Sequence, residues 1–140
     1  MDKEDLELEG LSVRIYEADL NKITRDVIGA AIEVHRNLGA GFSESVYEEA
    51  LCHELELRNV PFVRQFAFKV KYKGKIVGEG RLDLLIGNQL IVELKSVDEL
   101  AKVHDVQVLS YLKATGHPLA LLINFNVAVL TAGGIKRLIL

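Results

Sequence analysis

The chain has 140 residues, 49% of them apolar and 26% charged, with a formal net charge of −3, a balance that suits one globular domain with a hydrophobic core. No apolar run reaches the ~18 residues of a membrane span, and the negative charge excludes a protein that holds nucleic acid by overall positive charge. The single cysteine, Cys52, excludes an internal disulfide and fits a reducing cytoplasm; with four histidines it supplies too few ligands for a structural zinc site.

The N-terminal "MDKEDLELEG" is acidic and has no apolar core, so it is expected to be neither a signal peptide nor a basic transit peptide. Residues 1–18 form an extension in which Leu11, Val13 and Ile15 alternate with Ser12, Arg14 and Tyr16, a short strand signal. Residues 19–140 form one domain. Ile23, Val27, Ala30, Ala31, Val34 and Leu38 recur at helical steps, predicting an amphipathic helix from Asp19 to Leu38 that stops at Gly39. After "GAGF", Ser43 is a candidate N-cap for a helix over 44–58. Its first turn carries Glu44, and its apolar stripe is Val46, Tyr47, Ala50, Leu51 and Leu55. Tyr47 and Cys52 read as core, and His35 as a favourable charge at a helix C-terminus.

"FVRQFAFKVKYKGK" then alternates, with Phe66, Phe68, Val70 and Tyr72 on one face and Gln65, Ala67, Lys69 and Lys71 on the other, a half-buried strand. "KG" at 73–74 turns into a strand over 75–86, and "GNQ" at 87–89 into one over 90–97. A helix from Val103 to Ala114 ends before Gly116 and Pro118. The continuous apolar run "LALLINF" (119–125) reads as a strand buried on both faces, and "GIKRLIL" as a last strand. A helix between the third and fourth strands requires a crossover, so the fourth lies parallel to a strand of the meander. The class is α/β, with a mixed β-sheet flanked by helices.

Charge is unevenly distributed. Residues 1–57 carry 5 basic and 14 acidic groups, 58–81 carry 7 basic and 1 acidic, and 82–140 carry 5 of each. Any nucleic-acid contact is therefore local and falls on 58–81. The alternative for its lysines is an exposed, solubilised hairpin.

In "RLDLLIGNQLIVELKSV" (81–97), Asp83, Glu93 and Lys95 interrupt two apolar strands. With a two-residue loop, Asp83 falls opposite Val92 and Glu93 opposite Leu82, and every face mixes charge with aliphatic side chains. With the three-residue loop Gly87-Asn88-Gln89, Asp83 falls opposite Glu93. Leu82, Leu84, Ile86, Leu90, Val92 and Leu94 then share one apolar face, and Arg81, Asp83, Leu85, Ile91, Glu93 and Lys95 share the other. Only this second register separates core from charge, and it is the one expected. Facing carboxylates repel. A raised pKa, a cation from Lys95 or Arg81, or a divalent metal ion would each compensate. The hairpin alone leaves a salt-bridge cluster and a metal pair equally open.

Asp83…Glu93-Leu94-Lys95, lying after a helix on the second and third strands of a meander, resembles the PD-(D/E)XK nuclease superfamily. "GFSESVY" (41–47) matches GxxExxY through Gly41, Glu44 and Tyr47, and "VHRNLGAGFSESVYEEAL" and "LLINFN" look like the GxxExxY protein family of that superfamily. The resemblance runs from about residue 20 to the end; Leu82 stands where the superfamily name has proline. It implies a restriction-endonuclease-like core with a three-strand antiparallel meander, a crossover helix and a parallel fourth strand. It implies Mg²⁺, with Mn²⁺ as a substitute, held by Asp83, Glu93, the Leu94 backbone carbonyl and Glu44, with Lys95 acting on the attacking water. Gln107 and Tyr111, four apart on one helix face with His104 a turn earlier, match a supporting Q-x-x-x-Y element; a solvated polar face is the alternative.

Two functions follow. One is a metal-dependent nuclease acting on nucleic acid, DNA before RNA, with Lys69, Lys71, Lys73 and Lys75 on flanking phosphates. The other is a catalytically silent module for nucleic-acid binding or protein assembly. Small size and the expected edge strands suggest a homodimer or higher homo-oligomer, without membrane association.

Overall fold

The computed structural model describes the backbone from Lys3 to Leu140 and the side chains from Leu20 onward. The elements are α1 (Lys3–Leu38), α2 (Glu44–Leu57), β1 (Phe62–Tyr72), β2 (Lys75–Ile86), β3 (Leu90–Lys95), α3 (Lys102–Thr115), β4 (Leu119–Asn124) and β5 (Ile135–Leu138). The strand expected over residues 11–17 lies outside the residues described with side chains, within the bounds given for α1.

The five strands form one sheet in the order β1-β2-β3-β4-β5. β1, β2 and β3 are an antiparallel meander, β3 and β4 are parallel, and β5 returns antiparallel along β4. The crossover helix α3 makes the parallel pair, as its place between β3 and β4 requires. Left-handed backbone ends two helices where glycine tolerates it, at Gly39 (φ 70°) and Gly116 (φ 76°).

Helices cover both sheet faces. On one, Val27, Ala30, Ala31 and Val34 of α1 and Tyr47, Leu51 and Leu55 of α2 pack on Leu84, Ile86, Leu90, Val92, Leu94, Leu121 and Ile123. On the other, Val108 and Leu112 of α3 pack on Phe68, Leu82, Leu85, Ile91, Ala120 and Leu122. Successive residues of β3 and β4 thus enter different cores, which is why "LALLINF" is apolar without alternation.

The β2–β3 register is Leu84↔Val92, Leu85↔Ile91, Ile86↔Leu90, the three-residue-loop register. One expectation fails at its edge. Leu82 joins the α3 core and not the core of Leu84 and Ile86. The cause lies opposite on β1, where Gln65 has φ 50°. Pairing continues unshifted through it, Arg64↔Leu84 on one side and Phe66↔Leu82 on the other. Yet Phe62 packs on the first core, and Phe66 and Phe68 on the second. Both strands exchange faces at the Gln65–Asp83 step.

Beyond Phe68 the hairpin leaves the core. The half-buried face expected through Tyr72 stops there, with Val70 38% and Tyr72 62% exposed. A register shift between Val70↔Gly78 and Lys71↔Ile76 bulges this outer part.

Tyr47 fixes the entry to α2. Its ring stacks on Phe125 with centroids 4.5 Å apart. Its hydroxyl donates to Gly39 O (2.6 Å) and accepts from Phe42 N–H (3.2 Å). Tyr47→Phe keeps the stacking and removes both bonds, so it should cost about 1–3 kcal/mol, read as a lower urea midpoint at unchanged slope. An unchanged midpoint would show that the hydroxyl carries no weight.

Candidate active site

The site begins where the β2–β3 ladder gives out, one residue past Leu84↔Val92. There the Asp83 N–H donates to Glu93 Oε1 (2.7 Å), and the Leu94 N–H donates to Asp83 Oδ2 (2.9 Å). Each carboxylate therefore reaches the opposite backbone in place of a ladder bond. Just past the last pair of the register, Leu84↔Val92, the two carboxylates thus clasp the facing strands and hold them together as they part.

Burial dominates their environment. Burial, and next the Asp83 carboxylate, push the Glu93 pKa up to about 8, against the Asp83 N–H and Lys95. Burial also raises Asp83, with Glu48 and Glu44 adding to it and the Leu94 N–H opposing. Lys95 follows on β3, half-buried, its carbonyl accepting from Phe125 N–H (3.0 Å). Among the described residues no ion pair engages the Lys95 ammonium. Arg81 is exposed and its charge is felt at Glu79, so it does not compensate the acids as the strand pattern allowed.

Glu44 is exposed in the first turn of α2 and lines a pocket of about 200 Å³ with Ser45, Glu48, Gln65, Asp83 and Leu94. Two bonds set its position: Tyr47 holds the loop before α2, and Ser96 Oγ donates to Phe42 O (2.6 Å), tying that loop to the residue after Lys95. Ser43 occupies the N-cap position, but its side chain makes no cap bond and meets Ser45 Oγ instead (3.0 Å).

Three residues here were not singled out from sequence. Gln65 Nε2 donates to Glu48 Oε1 (2.8 Å) and, at 3.4 Å, to Asp83 Oδ1. Arg64 Nη2 donates to Glu48 Oε2 and Glu49 Oε1, each at 2.8 Å. Glu48 had a signal, four residues after Glu44 on one helix face. Gln65 and Arg64 had none without the β1–β2 register.

From α3, half-buried Tyr111 packs edge-on against Phe68, centroids 5.2 Å apart. Burial raises its pKa, and Glu93 and Asp83 raise it further, which places it in the field of the pair. Gln107 is exposed, and its backbone carbonyl accepts the Ser110 hydroxyl (2.6 Å). His104 Nδ1 accepts the Ala101 N–H (2.9 Å) and so serves the start of α3. His35 Nε2 bonds Val127 O (2.8 Å) inside the fold, and Cys52 is buried, its thiol pushed up to about 11 by burial. Of the four hairpin lysines, Lys69 is paired with Glu79 at 2.6 Å. Lys73 Nζ lies 5.4 Å from the centre of the Tyr72 ring. Lys71, Lys73 and Lys75 are exposed and carry no ion pair among the described residues.

The expected ligand set does not close into one cluster: among the described residues, no three His, Cys, Asp or Glu side chains are grouped to hold an ion. Asp83 and Glu93 converge, and Glu44 stands at the rim. The converging pair nevertheless suits a small hard cation. It offers oxygen donors from buried Glu93 and half-buried Asp83, whose pKa values are raised first by burial, and magnesium commonly takes one or two carboxylates and completes its shell with water.

A family model for the PD-(D/E)XK nuclease superfamily matches residues 21–138, and the chain belongs to that superfamily. The match spans every site residue described above. Neither the curated proteins nor the solved structures give a match.

A carboxyl whose folded pKa is raised contributes stability below its unfolded pKa, near 4.5 for Glu93, and that contribution is lost as pH rises through about 8. With a chelator present, the melting temperature should therefore fall between pH 5 and pH 8.5, and Glu93→Gln should flatten the fall. A wild-type profile that is flat, or that Glu93→Gln leaves unchanged, would contradict this.

Proposed function

We propose that this chain is a metal-dependent nuclease that hydrolyses phosphodiester bonds, in DNA before RNA. The observation that carries it is the Asp83–Glu93 pair, Glu93 buried and Asp83 half-buried, with Lys95 two residues on along β3. Asp83, Glu93 and the Leu94 carbonyl would hold Mg²⁺, or Mn²⁺ in its place, with Glu44 contributing from the rim. A bound ion would supply Lewis-acid stabilisation of charge on the phosphoryl oxygens.

The chain's own groups do the rest. Lys95 orients the attacking water and offsets charge gathering on the phosphoryl group. Gln65, bonded to both Glu48 and Asp83, holds the Asp83 carboxylate in place. Tyr111 closes the α3 side of the site, with Gln107 a turn away as a supporting group. Lys71, Lys73 and Lys75 supply exposed charge for flanking phosphates, with Lys69 contributing once released from Glu79.

The GxxExxY assignment gains physical support from the motif's division of labour. Gly41 takes φ 107°, which favours glycine, Tyr47 anchors the loop, and Glu44 reaches the site rim. The chain would work in the cytoplasm; among the described residues no helix is long and apolar enough to cross a membrane. A homodimer or higher homo-oligomer would bring two sites to two strands, with the outer strands β1 and β5 as the free sheet edges.

One observation favours a second reading, a catalytically silent module for binding or assembly. The reciprocal bonds between the carboxylates and the facing backbone make the pair a clip that needs no ion. Activity decides between them. Purified protein with Mg²⁺ or Mn²⁺ should cleave at least one of linear, nicked, branched and single-stranded substrates. Asp83→Ala and Lys95→Ala should each reduce the rate by roughly 10²-fold or more. Cleavage that survives both substitutions would sink the nuclease reading.

A further inference from the structure

We propose that the groove between the β1–β2 hairpin and α3 binds an unpaired nucleic-acid strand. The proposal rests on the nuclease reading and adds to it a substrate class and a binding residue, Lys113.

The groove encloses about 850 Å³, and Phe68, Gly80, Ala114 and Tyr111 are among its lining residues. Its apolar side is built in. A Cβ on Gly80 would lie 2.5 Å from the Phe68 ring, so glycine lets the ring rest on the hairpin backbone. That ring in turn meets Tyr111 edge-on at 5.2 Å. Tyr111 therefore lines the groove beside Phe68.

The charge is arranged in two walls. Lys69 and Glu79 neutralise one another. Lys71 on β1 and Lys113 in the last turn of α3 remain, both exposed and without an ion-pair partner among the described residues. Two cations flanking an apolar, aromatic channel suit a ligand with apolar faces and a regular negative charge. Duplex nucleic acid stacks its base faces inside and presents phosphate and sugar, so it would leave the apolar lining uncovered. An unpaired strand offers base faces and phosphates together. An acidic peptide would satisfy the lysines and not the lining.

Fluorescence anisotropy with wild-type protein in chelator measures binding apart from cleavage. A labelled single strand should bind several-fold tighter than its duplex. Lys113→Glu should weaken the strand by about tenfold and make the salt dependence shallower by about one phosphate contact. Lys113→Arg should restore both, and Ser110→Trp, which fills the groove from α3, should weaken binding at unchanged melting temperature. Several outcomes would overturn the proposal: equal affinity for strand and duplex, indifference to Lys113→Glu, competition by poly-glutamate as strong as by the strand, or a dimer that Ser110→Trp dissociates. Cleavage by wild type with Mg²⁺, run in parallel, separates the two claims. Cleavage without groove-dependent binding overturns only the groove, and groove-dependent binding without cleavage overturns only the nuclease reading.

Discussion

Two carboxylates, Asp83 and Glu93, each accept a backbone N–H from the facing strand where the β2–β3 ladder ends, and much of the structure serves that clasp. Burying one acid is costly, and burying two together is worse, because each raises the other's cost of ionisation. The protein answers with two backbone N–H groups, those of Asp83 and Leu94, and with the nearby charge of Lys95. Burial outweighs them, followed by the Asp83 carboxylate, and Glu93 is pushed up to about 8. Under the proposed nuclease reading, a bound cation would take the place of the proton that Glu93 holds at neutral pH.

The surrounding fold keeps the pair in place from three directions. Face alternation on β3 sends Val92 and Leu94 into the α1–α2 core and Ile91 into the α3 core, so Glu93 cannot turn away without unpacking one of them. The exchange of faces at Gln65 and Asp83 frees Asp83 from the regular ladder and lets it reach the Leu94 N–H. On the helix side, Tyr47 and Ser96 pin the loop before α2, and Arg64 and Gln65 hold Glu48 to β1. The acidic face of α2 is thereby held beside the pair, where Glu44 and Glu48 add to its negative potential.

What was legible in the sequence follows from how local each signal is. The three-residue loop needed only the apolar pattern of one hairpin, and it placed Asp83 opposite Glu93. The crossover, the doubly buried β4 and the helix stops at Gly39 and Gly116 were local signals too. The inversion at Gln65 was not, because glutamine carries no marker for positive φ, and it moved Leu82 to the other core. Ser43 looked like a capping residue because serine usually is one, yet its hydroxyl turned to Ser45. The Lys69–Glu79 pair depends on the β1–β2 register, and the bulge beyond it lay outside pattern reading. Arg64 and Gln65 became part of the site only through contacts with residues more than a dozen positions away.

The central proposal is that Asp83 and Glu93 form a cation site in which the ion displaces the proton on Glu93. Isothermal titration of Mn²⁺ or Mg²⁺ at pH 7, repeated in buffers of different ionisation enthalpy, tests it most directly, because an ion that displaces the proton on Glu93 must release it to the buffer. Saturable binding is expected with release of close to one proton per ion, falling towards none by about pH 9, and with loss of both signals in Asp83→Asn and Glu93→Gln. Binding without proton release, or binding that survives both substitutions, would contradict it.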